Sequence, residues 1–242
     1  MKYSYDLHVH SCLSPCADND NTPNNLAGMA HLSGIRIVAL TDHNTAKNCP
    51  AFFEAAKRYG IIPIAGMELT TSEDIHVVCL FEDLASAMRF DEFIGTKRVL
   101  IKNRTDIFGD QLILDGNDEI VGTEDYLLPN ATVISLDEAP ALVKEFGGIC
   151  FPAHIDRDAN GIVAILGTVP TSPDFRCVEI HDAEKIPEYR EKYGLSDKLF
   201  IVSSDSHYLT DIDETNNFFE LDTASGSDTE VRRALFKHLM GI

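Results

Sequence analysis

The sequence predicts an α/β fold with a barrel of seven strands. Short apolar runs typical of strands alternate with helix-like segments along most of the chain, and this alternation indicates a largely parallel sheet. The runs are apolar nearly throughout, so both faces of the strands should be covered, which favours a closed barrel over an open sheet. Because 242 residues can bury a full core in one unit, we predict a single domain over residues 1–242.

The elements follow in order along the chain. The predicted strands are Tyr3–Val9, Ile35–Leu40, Ile61–Met67, Ile75–Phe81, Gly148–Ala153, Cys177–Ile180 and Leu199–Ser203. The predicted helices are Asn24–Leu32, Pro50–Tyr59, Asp83–Phe93, Asp137–Phe146, Glu188–Tyr193 and Asp228–Met240. Ser227 or Asp228 should cap the last helix, because a short polar side chain there can accept a hydrogen bond from a free backbone N–H.

Residues 95–135 interrupt the alternation and are predicted to be an insertion between barrel strands. Two alternating runs in this segment are joined by Asp115-Gly116-Asn117-Asp118, which is typical of a β-hairpin. The segment also carries a local group of basic residues in an acidic protein. This group is either a solvated helix face or a lid that reaches an anionic substrate; it comprises Lys97, Arg98, Lys102 and Arg104.

Composition restricts the partners and the compartment. The formal net charge is −19, which disfavours non-specific nucleic-acid binding, because that binding relies on Lys and Arg. Anionic membrane surfaces are disfavoured for the same reason. No run of 18 apolar residues is present, so we expect no membrane span, and Met1–Asp6 lacks the apolar region of a secretory signal. We therefore expect a cytoplasmic protein.

The six cysteines do not have the spacing of a disulfide framework. Cys79, Cys150 and Cys177 lie in or beside apolar runs and are expected to be reduced core residues. Cys12 and Cys16 differ from these because they closely follow a pair of histidines.

That pair lies in the stretch DLHVHS, residues 6–11. Alternate residues of a strand point to the same face, so the side chains of Asp6, His8 and His10 should share one face. The two histidines would be about 6–7 Å apart at Cα, a separation that one cation can bridge. Asp205 and His207 repeat this spacing after the last predicted barrel strand.

Other coordinating residues stand at the ends of further strands. In barrels the functional groups collect where the C-terminal ends of the strands meet, although His76 stands at the start of its strand. Each of these histidines alone could be a hydrogen-bonded core residue, but together they predict a metal cluster. The additional candidates are His43, Glu68, His76 and His154.

The ligand types and their number indicate the cofactor. Histidine with carboxylate suits Mn, Fe or Zn better than Mg or Ca, and the set exceeds the needs of one ion. We therefore expect two or three divalent transition metal ions, with Glu68 as the bridging carboxylate. Asp6 and Asp42 should lie behind the ligands, with Asp6 orienting an imidazole or capping the strand. The remaining histidines, His31, His181 and His238, are interpreted as structural, or for His181 as supporting.

Taken in order, DLHVHS, ALTDHN, AGMEL, IHVV, PAHIDR and SSDSH resemble the polymerase-and-histidinol-phosphatase (PHP) family of metal-dependent phosphoesterases. The resemblance covers nearly the whole chain. It implies a distorted (β/α)7 barrel with a trinuclear site at the C-terminal mouth. By position it implies three metal sites. The first is held by His8, His10, Glu68 and Asp205, and the second by Glu68, His76 and His154. The third is held by His43, His207 and one loop residue.

This loop residue is where the chain departs from the family pattern. Family members often place Asp or His five or six residues after the second histidine of the motif, and here those positions hold Pro15 and Cys16. We expect Asp18, two residues later, because a carboxylate suits a harder cation, with Cys16 as the alternative. Arg157, in the stretch AHIDR, is expected to bind a substrate phosphate.

The resemblance implies hydrolysis of a small phosphate ester, by a phosphatase or a phosphodiesterase. The ions would lower the pKa of a water and stabilise charge on the phosphoryl oxygens. The alternatives are a metal-dependent amidohydrolase, a PHP-type 3′–5′ exonuclease, and a barrel that only binds. Amidohydrolases commonly bridge their metals with a modified lysine, and no Lys ends a predicted strand. The expected partner is a small phosphorylated molecule, with nucleic acid disfavoured; the particular ester and the oligomeric state are left open.

Overall fold

A computed structural model describes residues 1–212 and 217–242. Its strands are β1 Lys2–Val9, β2 Ile37–Leu40, β3 Ile62–Thr70, β4 His76–Phe81, β5 Leu112–Leu114, β6 Ile120–Thr123, β7 Gly148–Pro152, β8 Cys177–Ile180, β9 Leu199–Val202 and β10 Phe218–Glu220. Its α-helices are α1 Pro23–Leu32, α2 Cys49–Tyr59, α3 Leu84–Gly95, α4 Thr105–Phe108, α5 Ala139–Glu145, α6 Ile162–Leu166, α7 Ile186–Lys192 and α8 Asp228–Met240.

The strands form a curled sheet of mixed direction. Six strands are hydrogen-bonded in the order β10-β1-β2-β3-β4-β7, and β8 and β9 form a separate parallel pair. A parallel bridge between Val9 and Ser206 brings the chain after β9 back to β1. The α/β class predicted from the sequence is confirmed, whereas the count of seven (β/α) units stays a prediction.

The expected parallel arrangement holds for β1, β2 and β3 and for the β8–β9 pair. It is wrong for β4, which runs antiparallel to both β3 and β7. Only residues 71–75 separate β3 from β4, and a parallel crossover needs a dozen or more residues. The short connection therefore forces a hairpin.

Local sequence explains where the helices around this sheet begin and end. The Thr22 side chain accepts a hydrogen bond from the N–H of Asn25 at the start of α1, and Asp83 caps α3 in the same way through Ser86. α2 ends at Gly60, whose φ of 67° is in the left-handed region that glycine adopts without strain. α8 begins after Ser227, one of its two predicted cap positions, but the Ser227 side chain makes no capping hydrogen bond.

Apolar side chains form two layers. The outer layer lies between the sheet and the helices and includes Phe52 and Phe90. The inner layer is formed by the concave face of the strands, with residues such as Leu7 and Ile64, and α8 packs into it through Phe236. Polar side chains can therefore collect at the opposite rim of the curled sheet.

The predicted hairpin is present in the segment 95–135. β5 and β6 pair antiparallel, and the Asp115 carboxylate accepts hydrogen bonds from the N–H groups of Asn117 and Glu119 in the turn. The bounds of the insertion, and the division of the chain into one domain that carries it, stay predictions. Among residues 1–212 and 217–242, no helix combines the length and apolar character needed to cross a bilayer.

Candidate metal centre

The coordinating residues singled out from the sequence converge on one rim of the sheet. The C-terminal ends of β1, β3 and β7 and the loop after β9 meet there. His76 joins them because β4 runs in the opposite direction, so its first residue lies at the rim where its neighbours end. A parallel bridge between His43 and Glu68 brings the end of the β2 loop to the same place.

Glu68 occupies the centre of this rim. It is 1% exposed, and five imidazoles surround its carboxylate, so each of its two oxygens faces a different group of histidines. Oε1 lies 2.8 Å from His76 Nδ1, 3.0 Å from His154 Nε2 and 3.4 Å from His8 Nε2, and Oε2 lies 2.9 Å from His43 Nδ1 and 3.4 Å from His10 Nε2.

Asp205 approaches the same centre from the loop after β9. Its Oδ1 lies 3.3 Å from His8 Nε2 and 3.2 Å from His10 Nε2. Asp205 has a φ of 51° and His154 a φ of 28°, a backbone region that is costly for residues other than glycine and is often found at functional sites. Both strained residues lie at the rim.

Three groups of side chains have ligand atoms within 4.8 Å of one another. They are His8, His10, Glu68 and Asp205; His43, Glu68 and His76; and His10, His43 and His207. The first group is the set that the family resemblance implies for one metal. The other two differ from the implied sets, because His43 lies with Glu68 and His76, and His10 lies beside His43 and His207.

Buried polar atoms without a hydrogen-bond partner indicate whether these side chains suit bound cations. Five buried atoms of the centre's side chains make no hydrogen bond within the described part of the chain, namely His43 Nδ1, Glu68 Oε2, His76 Nδ1, His154 Nδ1 and Asp205 Oδ1. Buried polar atoms are normally satisfied, because leaving them bare is costly. Lone pairs that converge at about 3 Å without hydrogen-bond geometry suit cations placed between them. The residues therefore fit bound divalent metal ions.

Charges in the centre compensate one another. Burial alone would raise the pKa of Glu68, but the charged imidazoles around it, His76 first, hold that pKa well below its ordinary value. Burial alone would lower the pKa of His10, yet the neighbouring carboxylates of Asp205 and Glu68 raise it to about 9. Divalent cations can supply the same compensating positive charge.

Two further residues, not anticipated from the sequence, orient the imidazoles. His8 Nδ1 donates a hydrogen bond to Glu179 Oε1 at 2.9 Å, and the same oxygen accepts the His154 N–H at 3.0 Å. His10 Nδ1 donates to Ser14 Oγ at 3.0 Å. With Nδ1 carrying the proton in both rings, each Nε2 is left with a free lone pair that points into the centre.

The two aspartates expected behind the ligands have different surroundings. Asp42 accepts hydrogen bonds from Ser11 and from Ser14 Oγ at 2.7 Å, so it acts on His10 through Ser14. Asp6 Oδ1 accepts the backbone N–H groups of His8 and Ser204, both at 3.2 Å, and burial raises the pKa of Asp6 to about 6. Asp6 thus joins β1 to the loop after β9 instead of contacting an imidazole.

The two candidates for the last ligand also lie in different places. Asp18 is exposed, and its Oδ1 accepts the Asp20 N–H at 2.8 Å; it belongs to none of the three groups found among the described residues. Cys16 belongs to none of these groups either, but it lies near enough to His43 to affect the pKa of that imidazole. Burial would lower the pKa of His43, but Cys16 and Glu68 raise it to about 9. The choice of Asp18 as a ligand stays a prediction.

Arg157 lies at the mouth of the centre. Its Nη1 is 2.7 Å from Asp205 Oδ2, and its Nη2 is 3.4 Å from His181 Nδ1. His181 is exposed beside it. A cavity of about 150 Å³ opens between Arg157, Asn160 and the metal-centre histidines, and it is large enough for a phosphate group.

The curled α/β sheet and the buried histidine–carboxylate centre define the class, a protein whose rim brings together side chains that could hold divalent cations. The PHP domain family matches residues 6–128, half of the chain. The chain therefore belongs to the PHP family, whose members are metal-dependent hydrolases.

Three relatives illustrate the range of this family. A 5′-3′ exoribonuclease of Haemophilus influenzae is 32% identical over 115 residues, which is 46% of this chain and 40% of the exoribonuclease. The lesion-specific endonuclease Q of Pyrococcus furiosus has a TM-score of 0.64 at 16% identity, over 100% of this chain and 56% of the endonuclease. A protein of Bifidobacterium adolescentis described as a metal-dependent phosphoesterase has a TM-score of 0.59 at 20% identity, with 96% of both chains covered.

The chain spans 40% of the exoribonuclease and 56% of the endonuclease. These two relatives contradict the prediction of a small phosphorylated partner with nucleic acid disfavoured, and that prediction is wrong. Its physical basis was the net charge, which governs the diffuse field that attracts nucleic acid to a surface. A centre of divalent cations acts locally on one phosphate, so net charge does not exclude such a substrate.

Proposed function

We propose that the chain is a metal-dependent phosphodiesterase that hydrolyses phosphodiester bonds of a nucleic acid strand. The observation that carries the proposal is the position of Glu68. Its two oxygens face separate groups of imidazoles at 2.8–3.4 Å, so this carboxylate would be shared between two cations.

The proposed ligands follow from the groups on the rim. His8, His10, Glu68 and Asp205 would hold one ion; Glu68 and His76 would hold a second, with His43 or His154 beside them; and His43 and His207 would contribute to a third. Manganese, iron and zinc suit this donor set. No lysine ends a strand in the described part of the chain, and Glu68 lies between the histidine groups, which argues against the modified-lysine bridge of the amidohydrolase alternative.

Divalent ions bound here would supply Lewis acidity and a water of lowered pKa. The chain's own residues would do the remaining work. Arg157 already lies 2.7 Å from Asp205, so its guanidinium can contact a phosphate in the cavity with two parallel N–H groups. Glu179 and Ser14 would keep the imidazoles of His8 and His10 in the tautomer that leaves Nε2 free.

The dimensions of the site support one phosphate at a time. The cavity of about 150 Å³ has room for a phosphate group but not for a nucleoside as well. The sugars and bases on either side would lie outside, across a rim that carries exposed Tyr208 and His181. The exoribonuclease and endonuclease relatives support nucleic acid as the source of this phosphate.

The test is an assay of the purified chain, stripped of metal and reloaded with Mn²⁺, Zn²⁺ or Fe²⁺. End-labelled single-stranded RNA, single-stranded DNA and duplex DNA would be incubated with it and resolved on denaturing gels. We expect metal-dependent shortening of at least one strand type, and its loss in Glu68→Gln but not in the exposed Glu145→Gln control. Release of phosphate from small monoesters, with every strand left intact, would overturn the proposal.

A further inference from the structure

The loop after β1 is held against the metal centre at two points. Ser14 Oγ contacts His10 Nδ1 at 3.0 Å and accepts the His43 N–H at 3.2 Å. Four residues later, the Asp18 N–H donates to the carbonyl of His207 at 2.9 Å. A tight turn closes between these points, since the Ala17 N–H donates to the carbonyl of Ser14 at 2.9 Å. Cys16 therefore lies in the turn between Ser14, which contacts His10 and His43, and Asp18, which contacts His207.

These three imidazoles provide an incomplete donor set. Their ring centroids are 4.6 Å apart for His10 and His43, 4.4 Å for His10 and His207, and 6.3 Å for His43 and His207. His10 Nε2 also faces Asp205 and Glu68 at the neighbouring position. An ion between His43 and His207 would thus lack a full tetrahedral set of protein ligands, for which four donors are usual.

Cys16 is suited to provide the missing donor. Cys12, Cys49, Cys79 and Cys177 are buried and Cys150 is half-buried, which leaves Cys16 as the exposed thiol among the six cysteines. Its thiol lies near enough to His43 to affect the pKa of that imidazole, and His43 Nδ1 makes no hydrogen bond within the described part of the chain. The Asp18 carboxylate, by contrast, is turned to the Asp20 N–H.

We propose that Cys16 is the thiolate ligand of the ion held by His43 and His207. The thiol proton would pass to solvent as the sulfur–metal bond forms, because the thiolate is the binding form. A soft sulfur donor favours zinc over manganese. This position would therefore select a different metal from the histidine–carboxylate positions beside it. The inference rests on the proposed metal-dependent function, but it concerns the ligand and not the substrate.

The experiment uses Co²⁺ as a spectroscopic probe in the metal-stripped full chain. Sulfur bound to Co²⁺ gives a charge-transfer absorption in the near ultraviolet that nitrogen and oxygen ligands do not give. We expect the native chain and the Asp18→Asn and Cys12→Ser variants to show this absorption, and Cys16→Ser to lose it. Elemental analysis should find one ion fewer per chain in Cys16→Ser, with its thermal midpoint showing that it is folded.

Alkylation provides a second measurement. Iodoacetamide should modify Cys16 in the metal-free chain, and one equivalent of Zn²⁺ should slow that modification at least tenfold. The proposal is overturned if the native chain lacks the sulfur absorption, if Cys16→Ser retains it, or if Asp18→Asn alone loses the ion. None of these results depends on nucleic-acid hydrolysis, so a chain that fails the strand assay can still pass or fail this test.

Discussion

His8 Nδ1 donates a 2.9 Å hydrogen bond to Glu179 Oε1, across 171 residues of sequence. Both side chains are essentially buried, at 0% and 1% exposure. The same carboxylate oxygen accepts the His154 N–H at 3.0 Å. One glutamate of β8 thus fixes the ring of one candidate ligand and the backbone of another.

We predict that Glu179→Gln weakens metal binding about 10–100-fold, the usual cost of losing a hydrogen-bond partner behind a ligand. The glutamine amide can still accept a hydrogen bond from His8, but it lacks the negative charge that strengthens the imidazole as a metal ligand. Isothermal titration with Zn²⁺ would measure the change, with Glu145→Gln as the control. Equal affinities in the two variants would show that Glu179 has only a packing role.

Glu68→Gln should remove more activity than any change at the exposed rim. We expect loss of bound metal and a fall in kcat of at least about a hundredfold, because Lewis-acid stabilisation is worth several kcal/mol. His181→Ala should retain most of the activity, since His181 is exposed and contacts Arg157 instead of the ligands. Steady-state kinetics with elemental analysis would separate the two. If both variants lost activity equally, Glu68 would not be the bridging carboxylate.

Arg157→Lys should lower kcat/KM about 10–100-fold, because a charged bidentate hydrogen bond contributes about 1.5–3 kcal/mol and Lys cannot reproduce the fork. Metal content should not change, since Arg157 contacts the outer Asp205 oxygen, Oδ2. Inhibition by inorganic phosphate gives an independent measure, and its Ki should rise with the same substitution. An unchanged Ki would place the phosphate elsewhere.

Glu124 pairs with Arg98 at 3.0 Å inside the segment 95–135 and joins that segment to the loop after β2 through Lys47 at 2.5 Å. Burial alone would raise the pKa of Glu124, but these cations hold it below its ordinary value of 4.5. A carboxylate with a lowered pKa stabilises the fold above its unfolded pKa and loses that contribution as the pH falls through the folded pKa.

Glu124→Gln should therefore reduce the free energy of unfolding at pH 7 by about 1–2 kcal/mol, and the difference from the native chain should shrink as the pH falls below about 4.5. Urea titrations at several pH values would test this. The exposed Glu119→Gln variant serves as the reference. A difference that is independent of pH would mean that the ion pairs do not stabilise the fold.

The sequence predicts the ligand-bearing strands well because their signal is local. Polar residues at alternate positions in an apolar strand, such as His8 and His10, can be read without knowing any partner. The direction of β4 could also have been predicted. The predicted strands leave only residues 68–74 between Met67 and Ile75, too few for a parallel crossover, and that spacing explains why His76 starts its strand.

Glu179 and Ser14 were missed for a physical reason. Each contributes through hydrogen bonds to residues whose positions depend on the fold, and no periodic pattern records such pairs. A weak signal did exist in the stretch CVEI, where one acidic residue interrupts an apolar strand, since charged residues are rarely buried without a partner. Asp6 is the reverse case. Its spacing predicted a contact with an imidazole, but its hydrogen-bond partners are backbone N–H groups.

The separate hydrogen bonding of β8–β9 has a consequence for how long the folded chain survives. Glu179 lies in this pair and Asp205 and His207 in the loop that follows it, whereas His8, His10 and Glu68 lie in or directly after strands of the six-stranded sheet. Cations coordinated by residues of both units would connect the units. Because such cations bind the folded chain and not the unfolded one, their binding would add to the free energy of unfolding. A chain deprived of metal would open first along this seam and become open to proteases there. The lifetime of the folded chain would then depend on how much metal its surroundings supply.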